Sequence, residues 1–166
     1  MNEAVGNTAL FNLAIIFVVI LIAFFVGSLS YTKAYKVKNK IVEEIEKQGE
    51  YAEDPTTAYA NAEDEIIKWL DGEGTGYRKN INGTYNNSMC NDSCISDGTC
   101  SLANANTNVY QYCVYMFSTC KDKNDKKNCN IHYKVTTYMY FDVPVISELV
   151  RIPVSSETMT FRKINS

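Results

Sequence analysis

"LFNLAIIFVVILIAFFVGSLSYTKAYKVKNKIVEEIEK", residues 10–47, changes from a lipid-soluble run to a charged segment without a single proline. No charged residue occurs between Ala4 and Thr32. A transmembrane helix needs about 20 mainly apolar residues to cross a hydrocarbon core of roughly 30 Å. Residues 9–31 meet this requirement, and we predict that they form a membrane-spanning helix behind a short N-terminal segment, residues 1–8.

Beyond this span, apolar residues recur at spacings of three and four, and lysines and glutamates occupy most of the other positions. The recurring residues are Ala34, Val37, Ile41 and Ile45. This spacing places them on one face of an amphipathic helix, so we predict a helical stalk over residues 32–48 that ends at Gln48-Gly49. Protein must cover this apolar stripe, and the cover is either helices of neighbouring subunits or the chain's own sheet.

The remaining residues, 49–166, are polar and rich in tyrosine, and they contain a second helix and several strands. Asp54-Pro55 is typical of a helix start. The buried face of this second helix is predicted to consist of Tyr59, Ala62, Ile66 and Trp69 or Leu70. Residues 77–108 are rich in asparagine and cysteine, and we predict a long irregular loop there.

Alternation with a period of two marks the strands. It runs through "VYQYCVYMFSTC" at 109–120 and "IHYKVTTYMYFDV" at 131–143, with a charged loop over residues 121–128 between them. If Cys120 lies opposite Cys129, Val114 lies opposite Val135 and the apolar sets share one face. A third strand over 150–163 contains Pro153, which favours a sheet edge, and is interrupted near Ser155-Ser156. The fold class is therefore α+β, with a three- to four-stranded antiparallel sheet.

Six cysteines fall within forty residues, none of them in the predicted span: Cys90, Cys94, Cys100, Cys113, Cys120 and Cys129. An even number in a small domain is typical of a disulfide framework in an exported protein. We predict that Cys120 pairs with Cys129. Cys113 then points to the other face of its strand, and its partner is one of Cys90, Cys94 and Cys100. A zinc site near Cys129 and His132 is the alternative, but the cysteine spacings lack paired C-x2-C knuckles.

The charges around the span conflict with the cysteines over topology. Lys33, Lys36, Lys38 and Lys40 follow the span, and the positive-inside rule would place the domain in the cytoplasm. Disulfides require an oxidising compartment, and lysines near the end of a span can snorkel to headgroups on either side. We therefore expect a single-pass protein with an extracytoplasmic C-terminal domain.

Composition and motifs argue against catalysis and nucleic-acid binding. The net charge is −3 and no basic face is evident, whereas nucleic-acid binding needs a concentrated positive patch. His132 is the only histidine, and its odd separation from Cys129 puts the two side chains on opposite faces of a strand. We assign no catalytic residue, cofactor, metal site or small-molecule substrate.

The layout resembles type IV pilin-like proteins, in particular the minor pseudopilins of tight-adherence (Tad) systems. The residues that carry the resemblance are "ALFNLAIIFVVILIAFFVGSLSYTKAYKVKNKIVEEIEK" at 9–47, and the hairpin followed by "FDVPVISELVRIPVSSETMTF" at 141–161 fits it. The resemblance implies a structural subunit whose N-terminal helix packs with membrane lipid and with other pilin-like subunits in a surface filament.

In that family an acidic residue at the fifth position of the processed chain offsets the terminal amine of a neighbour. Glu3 is the residue that corresponds to it here, although it is the third residue and cleavage after Gly6 would remove it. The resemblance thus implies an assembly helix that comprises Glu3, Ala34, Val37, Ile41 and Ile45. The alternative is a bitopic membrane protein whose stapled domain serves binding or adhesion, with Glu3 a solvated terminal charge.

Overall fold

The computed structural model describes residues 2–72, 76–77, 79, 90, 100–103, 110–122, 125–141 and 150–164. Within these ranges, the side chains of residues 2–7, 120–122, 125–128, 141, 150–151 and 163–164 are not described. The helices are α1 (Asn2–Tyr51), a short 3-10 turn (Pro55–Thr57) and α2 (Ala58–Gly72). The strands are β1 (Cys100–Leu102), β2 (Tyr112–Asp122), β3 (Asp125–Phe141), β4 (Val150–Glu157) and β5 (Phe161–Ile164).

The five strands form one antiparallel sheet, which confirms the predicted α+β class. The order is β1-β2-β3-β4, and β5 pairs with the first part of β3, so that β4 and β5 follow each other along the same edge. Pro153 lies in β4, an edge strand, as predicted from its missing N–H.

The hairpin has the register that the cysteines predicted. Val114 lies opposite Val135, Met116 opposite Tyr133, and Cys120 opposite Cys129. The strands extend further than expected, since β2 and β3 continue to Asp122 and from Asp125, through the segment predicted as a charged loop.

One face of the sheet forms the core together with α1 and α2. The core contains the predicted stripe of α1, the buried face of α2 (Tyr59, Ala62, Ile66 and Leu70, with Trp69 only partly buried) and the inward side chains of β2 and β3. The opposite face carries a smaller cluster of Cys90, Cys113 and Tyr115, covered by Cys100, Phe117 and Tyr138. The helices and the disulfide therefore cover opposite faces of the same sheet.

Three boundaries differ from the sequence prediction. The first helix continues past Gln48-Gly49 to Tyr51, because Gly49 packs inside the fold instead of capping the helix. The third strand is interrupted at residues 158–160, after the predicted Ser155-Ser156, because the Thr158 hydroxyl accepts a hydrogen bond from the Tyr133 N–H at 2.9 Å. The predicted loop over 77–108 contains β1, which at three residues is too short to show a period.

Candidate functional site

The first half of α1 extends out of the domain. No other part of the chain among the described residues covers it. Its large apolar side chains are exposed all around the helix; Phe11 is 67% and Phe24 is 74% exposed. Contiguous apolar surface on this scale marks contact with lipid or with another protein. By length and composition, this helix could cross a membrane.

The second half of α1 lies within the fold of its own domain. Ala34, Val37, Ile41 and Ile45 are at most 1% exposed, and they pack against the sheet and α2. The sequence allows two covers for this stripe, the helices of neighbouring subunits or the chain's own sheet. In the structure, the chain's own sheet covers it. Since these four side chains are enclosed, they are not available to another subunit, and most of the exposed apolar side chains of α1 lie in the half that precedes them.

Hydrogen bonds fix α1 to the sheet close to the point where the apolar run ends. The Ser30 hydroxyl accepts a hydrogen bond from the Tyr140 N–H at 2.8 Å, and the Thr137 hydroxyl donates to the Ala34 carbonyl at 3.0 Å. Thr137 is fully buried, so this bond lies in a low-dielectric environment and resists competition from water. The domain is therefore joined to α1 from Ser30 onward, without a flexible linker between the apolar run and the sheet.

Buried tyrosines connect the helices to the sheet, a role that the sequence analysis did not assign. The Tyr133 hydroxyl donates to the Pro55 and Thr56 carbonyls at 2.8 and 2.9 Å, and burial raises the pKa of Tyr133 to about 12. The hydroxyls of Tyr59 and Tyr112 lie 3.1 Å apart in the core. Burial and the neighbouring Tyr112 raise the pKa of Tyr59 above its ordinary value.

A polar contact joins the end of α2 to the start of the hairpin. The Asp71 carboxylate accepts a hydrogen bond from the Tyr110 hydroxyl at 2.6 Å and forms an ion pair with Lys79 at 2.9 Å. These two partners lower the pKa of Asp71, with the hydrogen bond from Tyr110 the larger cause. The contact ties the end of α2 to the residue two positions before β2, which gives Asp71 a structural role.

The four cysteines whose side chains the structure describes are all disulfide-bonded. Cys113 is bonded to Cys90 with a Cα–Cα distance of 5.6 Å, which selects one of the three partners that the strand parity allowed. Cys100 and Cys129 are also disulfide-bonded, and no cysteine in the described ranges is free. Cys120 stands opposite Cys129 in the backbone register, but its side chain and the whole of Cys94 lie outside the described residues. The Cys120–Cys129 pairing therefore stays a prediction.

Cys129 and His132 lie on opposite faces of β3, as the odd separation predicts. Cys129 is buried in the core and bonded, whereas the His132 ring stacks on Phe117 on the opposite face, with ring centroids 5.0 Å apart. Within the described ranges, no group of three or more His, Cys, Asp or Glu residues could hold a metal ion. The backbone of Glu3 belongs to α1, and its side chain lies outside the described residues.

Comparison with models of protein families, with curated proteins and with solved structures finds no match to this chain.

Proposed function

We propose that this protein is a non-enzymatic, membrane-anchored subunit of the pilin-like kind, which assembles through α1 into a pilus or a secretion pseudopilus. The observation that carries the proposal is the division of one continuous helix. Its first half is apolar and bare all around, and its second half is built into the core of a stapled α+β domain.

The length of α1 suits this role. Fifty residues extend about 75 Å at 1.5 Å per residue, more than twice the hydrocarbon thickness of a bilayer. A subunit of this shape would place its bare half among equivalent helices and hold its domain outside them at a fixed distance. The disulfides favour an extracytoplasmic position for the domain, since such bonds persist in oxidising compartments.

The second candidate is a bitopic protein whose domain binds or adheres. The burial of Ala34, Val37, Ile41 and Ile45 within their own domain favours it, because a stripe that the fold already covers provides no separate reason for a neighbouring subunit. Lipid alone would satisfy the bare half of α1 in such a protein.

Disulfide crosslinking within the span separates the two candidates. Single cysteines are introduced along the bare half, for example Val18→Cys at a site that is 51% exposed, and membranes are oxidised before electrophoresis without reductant. If the helix assembles, dimers and longer ladders form, with maxima every three or four positions, because one face of the helix meets its neighbour. Val37→Cys is the matched control, since that site is 1% exposed and should yield monomers only.

Monomers at every position of the span would reject assembly and favour the bitopic protein. Uniform weak dimers around the whole helix would indicate random collision in the membrane, which also rejects a defined helix interface.

A further inference from the structure

A cleft opens between α1 and the sheet at the level where the apolar run ends. Its volume is about 430 Å³, within the range of small-molecule sites. One wall is helical and the other belongs to the domain. The lining residues are Val26, Leu29, Ser30 and Lys33 from α1, and Gly76, Tyr77, Tyr138 and Tyr140 from the domain.

The cleft spans the boundary between acyl chains and headgroups in the proposed membrane orientation. Val26 and Lys33 are seven positions apart, which corresponds to about 10 Å along a helix. A headgroup layer is roughly 5–7 Å thick, from the difference between the total and the hydrocarbon thickness of a bilayer. When residues 9–31 span the hydrocarbon, Val26 and Leu29 therefore face acyl chains, and Lys33 lies among headgroups.

Lys33 supplies a positive charge at the polar end of the cleft. Its ammonium nitrogen reaches across to Gly76, where a Cβ would stand only 3.0 Å from it. Gly76 has a φ of 60°, in the region that favours glycine, and its lack of a Cβ leaves room for this approach. In the described part of the chain, no carboxylate forms an ion pair with Lys33.

The wider charge pattern favours an anion at the same level. The first four charged residues after the span are all lysines, and the first acidic residue in this stretch is Glu43. Lys38 is buried and Lys40 is paired with Glu44 at 2.8 Å, so the exposed charges next to the span are those of Lys33 and Lys36. Each such charge attracts anionic headgroups by about 1 kcal/mol near a membrane surface.

We infer that this cleft binds one anionic phospholipid, with its phosphodiester against Lys33 and one acyl chain along Val26 and Leu29. The inference rests on the membrane anchoring in the proposed function, but it does not require assembly. The apolar wall is continuous with the bare surface of α1, so a lipid can enter sideways from the bilayer. The phosphodiester also accepts a hydrogen bond from the Ser30 hydroxyl, which among the described residues only accepts one, from the Tyr140 N–H.

Native mass spectrometry of the full-length protein, released from detergent micelles, tests the inference. The protein is equilibrated with phosphatidylglycerol or with phosphatidylcholine, and the fraction that retains one lipid is measured. We expect preferential retention of phosphatidylglycerol, an apparent affinity about tenfold lower for Lys33→Gln, and recovery of most of that loss in Lys33→Arg. Lys36→Gln is the matched control, because it removes one lysine of the same cluster that does not line the cleft.

Equal retention of the two lipids, or equal losses in Lys33→Gln and Lys36→Gln, would overturn the inference and leave the proposed function intact. Displacement of the lipid by millimolar inorganic phosphate would identify a simple phosphate site and would overturn it too. Recovery of the protein in the soluble fraction after carbonate washing of membranes would instead reject the membrane anchoring on which both proposals rest.

Discussion

Replacing Gly49 by alanine should destabilise the protein, although the same change inside a helix is usually stabilising. Alanine is favoured over glycine in a helix by about 0.5–1 kcal/mol. Gly49 lies near the end of α1 against Phe161 of β5, and an added Cβ would come within 2.5 Å of two carbons of the Phe161 ring. That ring is buried and packs edge-on against Tyr133, with centroids 6.5 Å apart. The ring therefore cannot move away without disturbing the core.

Overpacking of this kind costs about 1–3 kcal/mol. Subtracting the helix gain leaves a net loss of about 1 kcal/mol in the free energy of unfolding, which lowers Tm by roughly 2–4 °C for a chain of this length. Gly72→Ala is the matched control, since Gly72 ends α2 and, its chain neighbours and own helix aside, no atom of the described residues lies within 4 Å of the position that an added methyl group would occupy. That substitution should leave Tm unchanged or raise it slightly.

Thermal unfolding of the full chain in detergent, followed by circular dichroism, measures both variants. A third variant, Gly49→Ala with Phe161→Leu, removes the ring that the methyl group meets. The two changes should then be less than additive, because they act on one contact. If Gly49→Ala raises Tm as Gly72→Ala does, the close approach of α1 and β5 is refuted.

Three further perturbations test the core, the staple and the buried tyrosines. Ile41→Ala should cost about 2–5 kcal/mol in a denaturant titration, whereas Tyr35→Ala on the exposed side of α1 should cost little; equal costs would contradict the packing of α1 on the sheet. Replacing Cys90 and Cys113 together by alanine should cost about 3 kcal/mol, since their bond closes a loop of 23 residues, and a Tm equal to wild type would contradict a structural bridge. Burial raises the pKa of Tyr133 from 10.0 to about 12, so between these two pH values the folded state holds a proton that the unfolded state loses. Stability should therefore fall as pH rises through this window, and the loss from this group should be about 1.4 kcal/mol at pH 11. Tyr133→Phe should weaken that dependence; an unchanged slope between pH 10 and 12 would show that Tyr133 is not its source.

Periodicity and covalent constraint account for the parts of the fold that the sequence predicts correctly. A long run without charge predicts a continuous apolar helix whatever follows it, and the structure has that helix. Alternation together with Cys120 opposite Cys129 is sufficient to set the hairpin register. The position of Cys113 in the strand alternation predicts the face of the sheet to which its side chain points. It does not predict which of the three candidate cysteines bonds to it. Choosing Cys90 requires the path of the intervening chain, which composition does not determine.

Other features depend on contacts between distant residues. The stripe from Ala34 to Ile45 shows that something apolar covers it, but spacing cannot distinguish a neighbouring subunit from the chain's own sheet. Thr158 ends a strand through its bond with the Tyr133 backbone, and a threonine at that position carries no local sign of it. The cleft beside Lys33 combines residues that are more than a hundred positions apart, so only the fold reveals it.

The continuity of α1 has a mechanical consequence. Because Ser30 and Thr137 join the helix to β3 at the very end of the apolar run, no slack segment separates the domain from the span. A displacement of the domain would therefore be passed to α1, since these hydrogen bonds and the packed stripe leave no loose segment between them. A tilt of the domain would likewise tilt the helix with it.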